Sequence, residues 1–449
     1  MTESPSTGEY PISASLAAEQ NAAKVAALEE EDGEASTEET ADQSRGQAVI
    51  LTFSQQGIGA LVNVIVLLVL LILTGQTSDS YDRTALELVW RLQYGLGALT
   101  ITCVAVARVM YTQESEAWTQ SQADGREAKA GGKTLLFTHY WPRLIGTSMT
   151  WLVWDIVFYG NKLFQGKFIT IIEGGRHPTI YSVMKYSVVN CTVALVGYWC
   201  AAVVIDRPWM GRLRLQILGF FMVTIVFFIC GGAYQDLIKE ENIHTFQFLY
   251  YLSSFFGQFG PNCTTFLLAS ELYPTEVRTI ASGFSSTMGK IGALFAAVYF
   301  SNPDLTPETI FLVCGWCGLI GLVLTVAFVA DVTTLDSRHI DLQWKVMRHG
   351  SRKYYGPALR AEYQSFFETW VLRRPVLSEE DEAGGASFHT MVSSSGGVIP
   401  LEEFTEDETE FSSGHPESEK RPLKDDETGE TPTVTTPRDT STANGANSV

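Results

Sequence analysis

The sequence predicts an all-α membrane protein with about eight transmembrane helices. Three observations predict it. The middle of the chain, about residues 48–335, consists of apolar runs near the roughly 20 residues that a bilayer core requires. The runs carry almost no polar face, as Val62 to Leu73 (VNVIVLLVLLIL) shows, which excludes an ordinary soluble helical protein. Positive charge collects in alternate loops, as it does in multispanning proteins.

Taken in order, residues 1–47 form a polar, acidic N-terminal segment, with no basic start followed by an apolar stretch and so no secretory signal. Residues 48–110 hold two transmembrane helices, near 49–74 and 91–110. A central loop, 111–141, follows. Residues 142–335 hold six more helices, near 142–164, 181–205, 213–235, 246–270, 279–300 and 308–330. A basic juxtamembrane segment spans 336–375. It alternates aromatic, aliphatic and basic positions, which fits either an amphipathic helix on the anionic inner leaflet or a solvated helix. Residues 376–449 read as a disordered acidic tail, rich in Ser, Thr, Glu and Gly.

The net charge of −19 arises in the two flanks, whereas the hydrophobic residues, 46% of the whole chain, concentrate in the middle. Acidic flanks of this kind point away from nucleic acid. An even number of spans puts both termini on one side. Loop charge assigns that side to the cytosol: Arg108, Arg126, Lys129, Lys133 and Arg143 in the 111–141 loop and at its edges, Arg207, Arg212 and Arg214 in another, and Arg338, Lys345, Arg348, Arg352 and Lys353 after the last span. One loop dissents, with Lys167 and Arg176 on the outside. The reading implies a lipid bilayer as partner, and a plasma membrane.

Seven cysteines lie in or beside apolar runs. Cys314 and Cys317 have C-x-x-C spacing, but inside a membrane helix and with no second pair, so no metal and no cofactor are expected. Small residues that let helices approach closely are the better reading.

Polar groups inside a membrane are costly and need a reason. Trp151, Asp155 and Tyr159 recur every four residues, so they share one helix face. That face offers an indole donor, a carboxylate that takes a proton and a phenol; the bland alternative is a structural carboxylate between helices. Gln258 and Asn262 are also four apart, in GQFGPNCTTF, where Gly257, Gly260 and Pro261 weaken the helix. A simple kink with satisfied amides reads equally well there. Lys290, about twelve residues into an apolar helix, is too deep to reach water easily and wants an anionic partner, either Asp155 or an anionic substrate. Both are compatible: a substrate that displaces the carboxylate leaves it to take a proton, a scheme for proton–anion symport in which the carboxyl's proton occupancy depends on what the lysine pairs with. Gln55 and Gln56 open the first span, either at the interface or, for Gln56, at a cavity.

Several strings together resemble one family: FYGNKLFQ (158–165), GYWCAAVVIDRPWMGRLRLQILGF (197–220), FGPNCTTFLLASELYPTEVR (259–278) and SGFSSTMGKIGALFAA (282–297). They look like the phosphate:proton symporter branch of the major facilitator superfamily, over roughly residues 8–345. The resemblance implies an incomplete major-facilitator bundle, whose eight spans match the family's helices five to twelve: a six-helix C-terminal half and part of an N-terminal half. Gly8-Glu9-Tyr10-Pro11 resembles a segment in the middle of the family's fourth helix, so residues 1–47 include a remnant of it. Asp206, Arg207, Gly211 and Arg212 resemble the superfamily's cytoplasmic signature loop, lengthened here by Pro208 and Trp209.

By resemblance, Gln56, Trp151, Tyr159, Asn262, Lys290 and Tyr10 are substrate-binding positions, and Asp155 and Glu9 carry the coupled proton. Glu9 stands where the inorganic phosphate carriers have Asp and looks more like the glycerophosphodiester permeases. The implied function is proton-coupled symport of inorganic phosphate or a phosphate-bearing organic anion, with the small anion and protons as partners and no enzymatic step. The alternative is a truncated, non-transporting remnant with a receptor-like or regulatory role. If the truncation is real, a complementary membrane chain is a further implied partner.

Overall fold

The computed structural model describes residues 45–77, 81–111, 132–172, 179–302, 304–335, 337–348, 357–376, 390–392 and 398–400. All lie in the first of two compact units, Met1–Leu401. Eight long helices correspond to the eight expected spans: α1 (Arg45–Leu73), α2 (Arg83–Tyr111), α3 (Trp141–Ile172), α4 (Ile180–Val204), α5 (Gly211–Gly232), α6, α7 (Thr275–Phe300) and α8 (Pro307–Phe328). α6 is continuous but built in three pieces, Ile243–Gly257, a π-helical turn Gln258–Asn262, and Cys263–Glu271. A shorter α9 (Ser337–Arg348) follows.

Five of the eight, α1, α2 (over Arg83–Ala107), α4, α5 and α8, are long and apolar enough to cross a membrane, with mean hydropathy from 1.2 to 2.6. The other three are those that carry Asp155, Lys290 and the broken turn. Interior polar groups lower the hydropathy of α3 and α7, and the π-turn divides α6.

Local chemistry sets the helix ends. Thr179 caps α4 by accepting from the Ser182 N–H, and Thr306 caps α8 by accepting from the Thr309 N–H, with Pro307 in the first turn. α2 starts at Arg83, earlier than hydropathy predicts, because its first turns are amphipathic: Glu87 pairs with Arg83 at 3.8 Å and Arg91 at 3.5 Å. In the π-turn, Pro261 has no N–H to give to the ladder, and a wider turn at this point absorbs the loss.

The helices pair α3 with α7, α5 with α8, α1 with α4, and α6 with both α4 and α5; α2 leans chiefly on α1. One core cluster joins Val157, Phe168, Phe220, Phe227, Phe300 and Phe311. A second joins Val49, Phe53, Tyr198, Leu215, Phe259 and Phe266. Glycines set the closest approaches. A Cβ on Gly315 would come 2.9 Å from the Phe228 ring and one on Gly318 2.6 Å from the Thr224 hydroxyl, so the Cys314–Cys317 stretch is a close-packing seam between α8 and α5. All seven cysteines are free. Leu96, Leu99, Ile101 and Val104 on α2, like Val62, Val69 and Ile72 on α1, are exposed, as lipid-facing positions are.

The juxtamembrane segment corrects the expectation of either a leaflet-bound or a solvated helix over 336–375. α9 accounts only for its first part, and residues 357–376 turn back onto the bundle. Glu368 is fully buried and pairs with Arg143 at 3.1 Å and with Arg374. The Phe367 ring packs on Phe328 at the end of α8 and on Trp141 at the start of α3. Glu368, held by the guanidiniums of Arg143 and Arg374, and the Phe367 ring anchor this segment to the ends of α3 and α8. Within the expected tail, Thr390–Val392 and Val398–Pro400 pair as two short antiparallel strands; their β-branched residues flank a Ser/Gly-rich connection.

Candidate functional site

Most of the polar positions expected from the sequence fall into two adjoining groups within the bundle. The first lies on the α3–α7 seam. Asp155 is buried, and its Oδ2 faces Gly289 of α7: a Cβ on that glycine would come 3.0 Å from the carboxylate and 2.6 Å from the Trp151 ring. Gly289 thus lets α7 close on the indole and carboxylate of α3. The next residue, Lys290, donates from Nζ to the Tyr159 hydroxyl at 3.0 Å and stands 5.3 Å from that ring's centroid. Trp151, Asp155, Tyr159 and Lys290 are therefore brought together, with Lys290 and Tyr159 half-buried.

The second group joins α1, α3, α4 and α6. Asn262 donates from Nδ2 to the Tyr198 hydroxyl at 2.6 Å and to Gln56 Oε1 at 3.4 Å; Tyr198 donates to the same Gln56 oxygen at 2.9 Å; and Trp154 Nε1 donates to Asn262 Oδ1 at 2.8 Å. Gly57 and Gly257 make room for the two rings, since a Cβ on either would come 2.9 Å from Tyr198 or 2.6 Å from Trp154. Gln56 and Asn262 are thus in direct contact, whereas Gln55, one residue away, is exposed. Tyr198 and Trp154 complete the group and were not singled out from the sequence; Trp154 does sit within the WLVWDIVFYG string, one position off the Trp151–Asp155–Tyr159 face.

Beside the second group lies a cavity of about 90 Å³, lined among others by Gln56, Trp154, Asn161, Lys162, Asn190 and Gln258. Trp151, Asp155, Tyr159 and Lys290 do not line it. Glu9 and Tyr10 lie outside the described residues.

The signature loop forms an ionic clamp where α1 and α5 begin. Asp206 accepts from the Gly46 N–H at 3.1 Å and the Gln47 N–H at 2.6 Å, capping α1 from a distant part of the chain. Arg212 pairs with Asp206 at 2.8 Å and Glu271 at 3.0 Å, and Arg45 reaches Glu271 at 3.5 Å. Burial pushes the Asp206 carboxyl above its ordinary range, although Arg212 and the two α1 N–H groups pull it down. Gly211 has φ +63° and abuts Thr333, whose hydroxyl accepts from the Arg212 N–H at 2.9 Å; both demand a glycine. Arg207 points outward, exposed, with no ion pair among the described residues. Glu271 and Arg45 complete the clamp. Glu271 stands in the ASELYPTEVR string; no sequence signal marks Arg45.

Among the described residues no cluster of His, Cys, Asp and Glu is suited to a metal ion.

Long apolar helices, an ionic clamp at one end and mid-helix polar groups facing one another define an integral membrane protein with a polar interior. The chain belongs to the Major Facilitator Superfamily of membrane transporters, whose sequence model matches residues 35–297. Its relatives include the Low affinity inorganic phosphate transporter 4 of Lotus japonicus, 37% identical over 174 residues, which is 37% of this chain and 32% of that protein. The Medicago truncatula protein of the same name is 36% identical over 202 residues, 42% of this chain and 38% of that one. Inorganic phosphate transporter 1-1 of Arabidopsis thaliana is 35% identical over 165 residues, 35% of this chain and 31% of its own length. The chain thus matches about a third of each relative. Among solved structures, the proton:xylose symporter XylE bound to 6-bromo-6-deoxy-D-glucose shares the fold, with a TM-score of 0.52 at 16% identity over 67% of this chain and 68% of that one.

Proposed function

We propose that this chain works in proton-coupled symport of inorganic phosphate or a phosphate-bearing organic anion, from the plasma membrane, with the ionic clamp and both termini toward the cytosol. The observation that carries the reading is the contact of the Lys290 ammonium with the Tyr159 hydroxyl, beside the buried Asp155. The phosphate transporters among its relatives support the substrate class.

Lys290 would hold the anion's charge, and the Tyr159 hydroxyl, already touching that amine, would turn its proton toward an anion oxygen. Trp151 lines the same seam. Asp155 would keep the balance of charge. With no anion bound, the ammonium on α7 and the carboxylate on α3 contribute one charge of each sign; a monovalent anion arriving with a proton for Asp155 leaves the net charge unchanged. That balance gives a physical reason for coupling, since an uncompensated charge at this depth is costly. Gln56 and Asn262 would offer further amide groups from the neighbouring helices, held by Tyr198 and Trp154.

The test is uptake of labelled phosphate into vesicles bearing the full chain, at external pH 5.5 and 7.5. Wild-type protein takes up phosphate faster at the lower pH, and Lys290→Ala does not take it up while remaining in the membrane. Normal uptake by Lys290→Ala overturns the site. No uptake by the wild type favours the non-transporting alternative.

A further inference from the structure

The cavity beside the amide group differs in its chemistry from a site for a bare phosphate. Three side-chain carbonyl oxygens on its wall, Asn161 Oδ1 on α3, Asn190 Oδ1 on α4 and Gln258 Oε1 on α6, are buried, and none accepts a hydrogen bond from the described residues. Buried acceptors left without donors are uncommon and destabilising, and three around one cavity call for a ligand that brings donors. A phosphate's oxygens are mostly acceptors and answer this poorly. Ammonium groups and hydroxyls both bring donors. Lys162, whose ammonium lies 4.1 Å from the Phe158 ring centroid, lines the same wall and disfavours a second cation. Hydroxyls remain.

Size agrees. A volume of about 90 Å³ holds several water-sized groups at roughly 10–15 Å³ each, more than a phosphate requires.

We infer that this cavity binds the hydroxyl-bearing organic part of a phosphate ester, with Asn161, Asn190 and Gln258 accepting from its alcohol groups. The inference rests on the transport reading above and narrows its substrate: the polyol belongs with the three carbonyls, and Lys162 is the cation on the same wall that the phosphoryl group would meet.

The test uses purified full-length chain in lipid nanodiscs and three probes: inorganic phosphate, ethyl phosphate and glycerol 3-phosphate. Glycerol 3-phosphate is expected to bind about tenfold more tightly than either of the others, the gain of one or two well-made hydrogen bonds. Asn190→Leu, of similar size but without the acceptor, should bring the ratio of glycerol 3-phosphate to ethyl phosphate affinity toward one; Asn161→Leu serves if that variant does not fold. Equal binding of phosphate and glycerol 3-phosphate overturns the inference and leaves the transport reading standing. Ethyl phosphate binding as tightly as glycerol 3-phosphate overturns it too, because the hydroxyls then contribute nothing. A ratio unchanged in the leucine variants overturns the assignment to these residues. Binding of none of the three overturns both readings.

Discussion

The Lys290 ammonium and the Tyr159 hydroxyl meet at 3.0 Å across two helices whose chain positions are 131 residues apart. The contact fixes a cation one helical turn from Asp155, on the side where Gly289 brings α7 against α3.

Removing that cation should cost most of the affinity for an anion. For Lys290→Ala, phosphate affinity is expected to fall roughly 30-fold or more, as for a charged partner removed from a partly desolvated pair. Tyr159→Phe, which removes one donor, should cost only about three- to tenfold. Titration of both variants in nanodiscs checks the order; a larger loss in the phenylalanine variant would contradict it.

The Tyr198 hydroxyl accepts from Asn262 and donates to Gln56. Tyr198→Phe leaves both amides short of a partner and is expected to destabilise the protein by about 1–3 kcal/mol. Thermal unfolding in detergent reads this directly, and an unchanged melting temperature would show that the group is not structural.

Two arginines five residues apart should behave oppositely. Arg212 joins two buried carboxylates, so Arg212→Ala is expected to cost about 3–5 kcal/mol by leaving Asp206 without its cation and Glu271 with only the longer Arg45 contact. Arg207→Ala, at an exposed residue outside the clamp, should leave the melting temperature unchanged. Gly211→Ala should resemble the first, since it needs a left-handed residue and meets Thr333. Equal effects at Arg207 and Arg212 would remove the clamp from the account.

Acid should loosen the returning segment. For His139, burial, with Arg374 and Arg143 adding to it, lowers the pKa from 6.5 to about 4. Between those values the unfolded chain takes a proton that the folded chain refuses, so stability falls as pH drops from 6.5 toward 4. For Glu368, burial alone would raise the carboxyl, but Arg143 and Arg374 overcome it and hold it below its ordinary value. Its contribution is present above the ordinary carboxylate range and is lost as pH falls through and below it. Asp206, raised by burial, acts with the opposite sign. Melting temperatures from pH 7.5 to 4 should decline from about 6.5 downward, and His139→Gln should flatten the upper part of the decline while leaving the lower part.

The spans were legible because hydropathy and length are properties of single segments; α1 to α8 follow the predicted runs, with ends moved by capping and ion pairs. The Trp151–Asp155–Tyr159 face was legible because helical spacing alone puts it on one side. Tyr198 was not. It is one aromatic among many on α4, and what distinguishes it, Gln56 and Asn262, lies 142 and 64 residues away. Glu368 was hidden for a related reason. A carboxylate in a polar stretch reads as solvated, and only the return of the chain onto Arg143, 225 residues earlier, buries it. Periodicity tells which side chains share a face, and it is silent on which face of another helix they meet.

The wide turn at Gln258–Asn262 preserves a phase. A π-turn holds one residue more than the α-turn it replaces, so the extra residue is taken up inside the turn and the two parts of α6 stay close to the angular register of an unbroken rod. Held in a plain α-helix, the same extra residue would rotate one part against the other by about 100°. Glu271 would then turn away from Arg212, or Gln258 would leave its cavity, and no side chain need change for either to happen. The widened turn is therefore what lets the clamp at one end of the rod and the amides at its middle share a single helix.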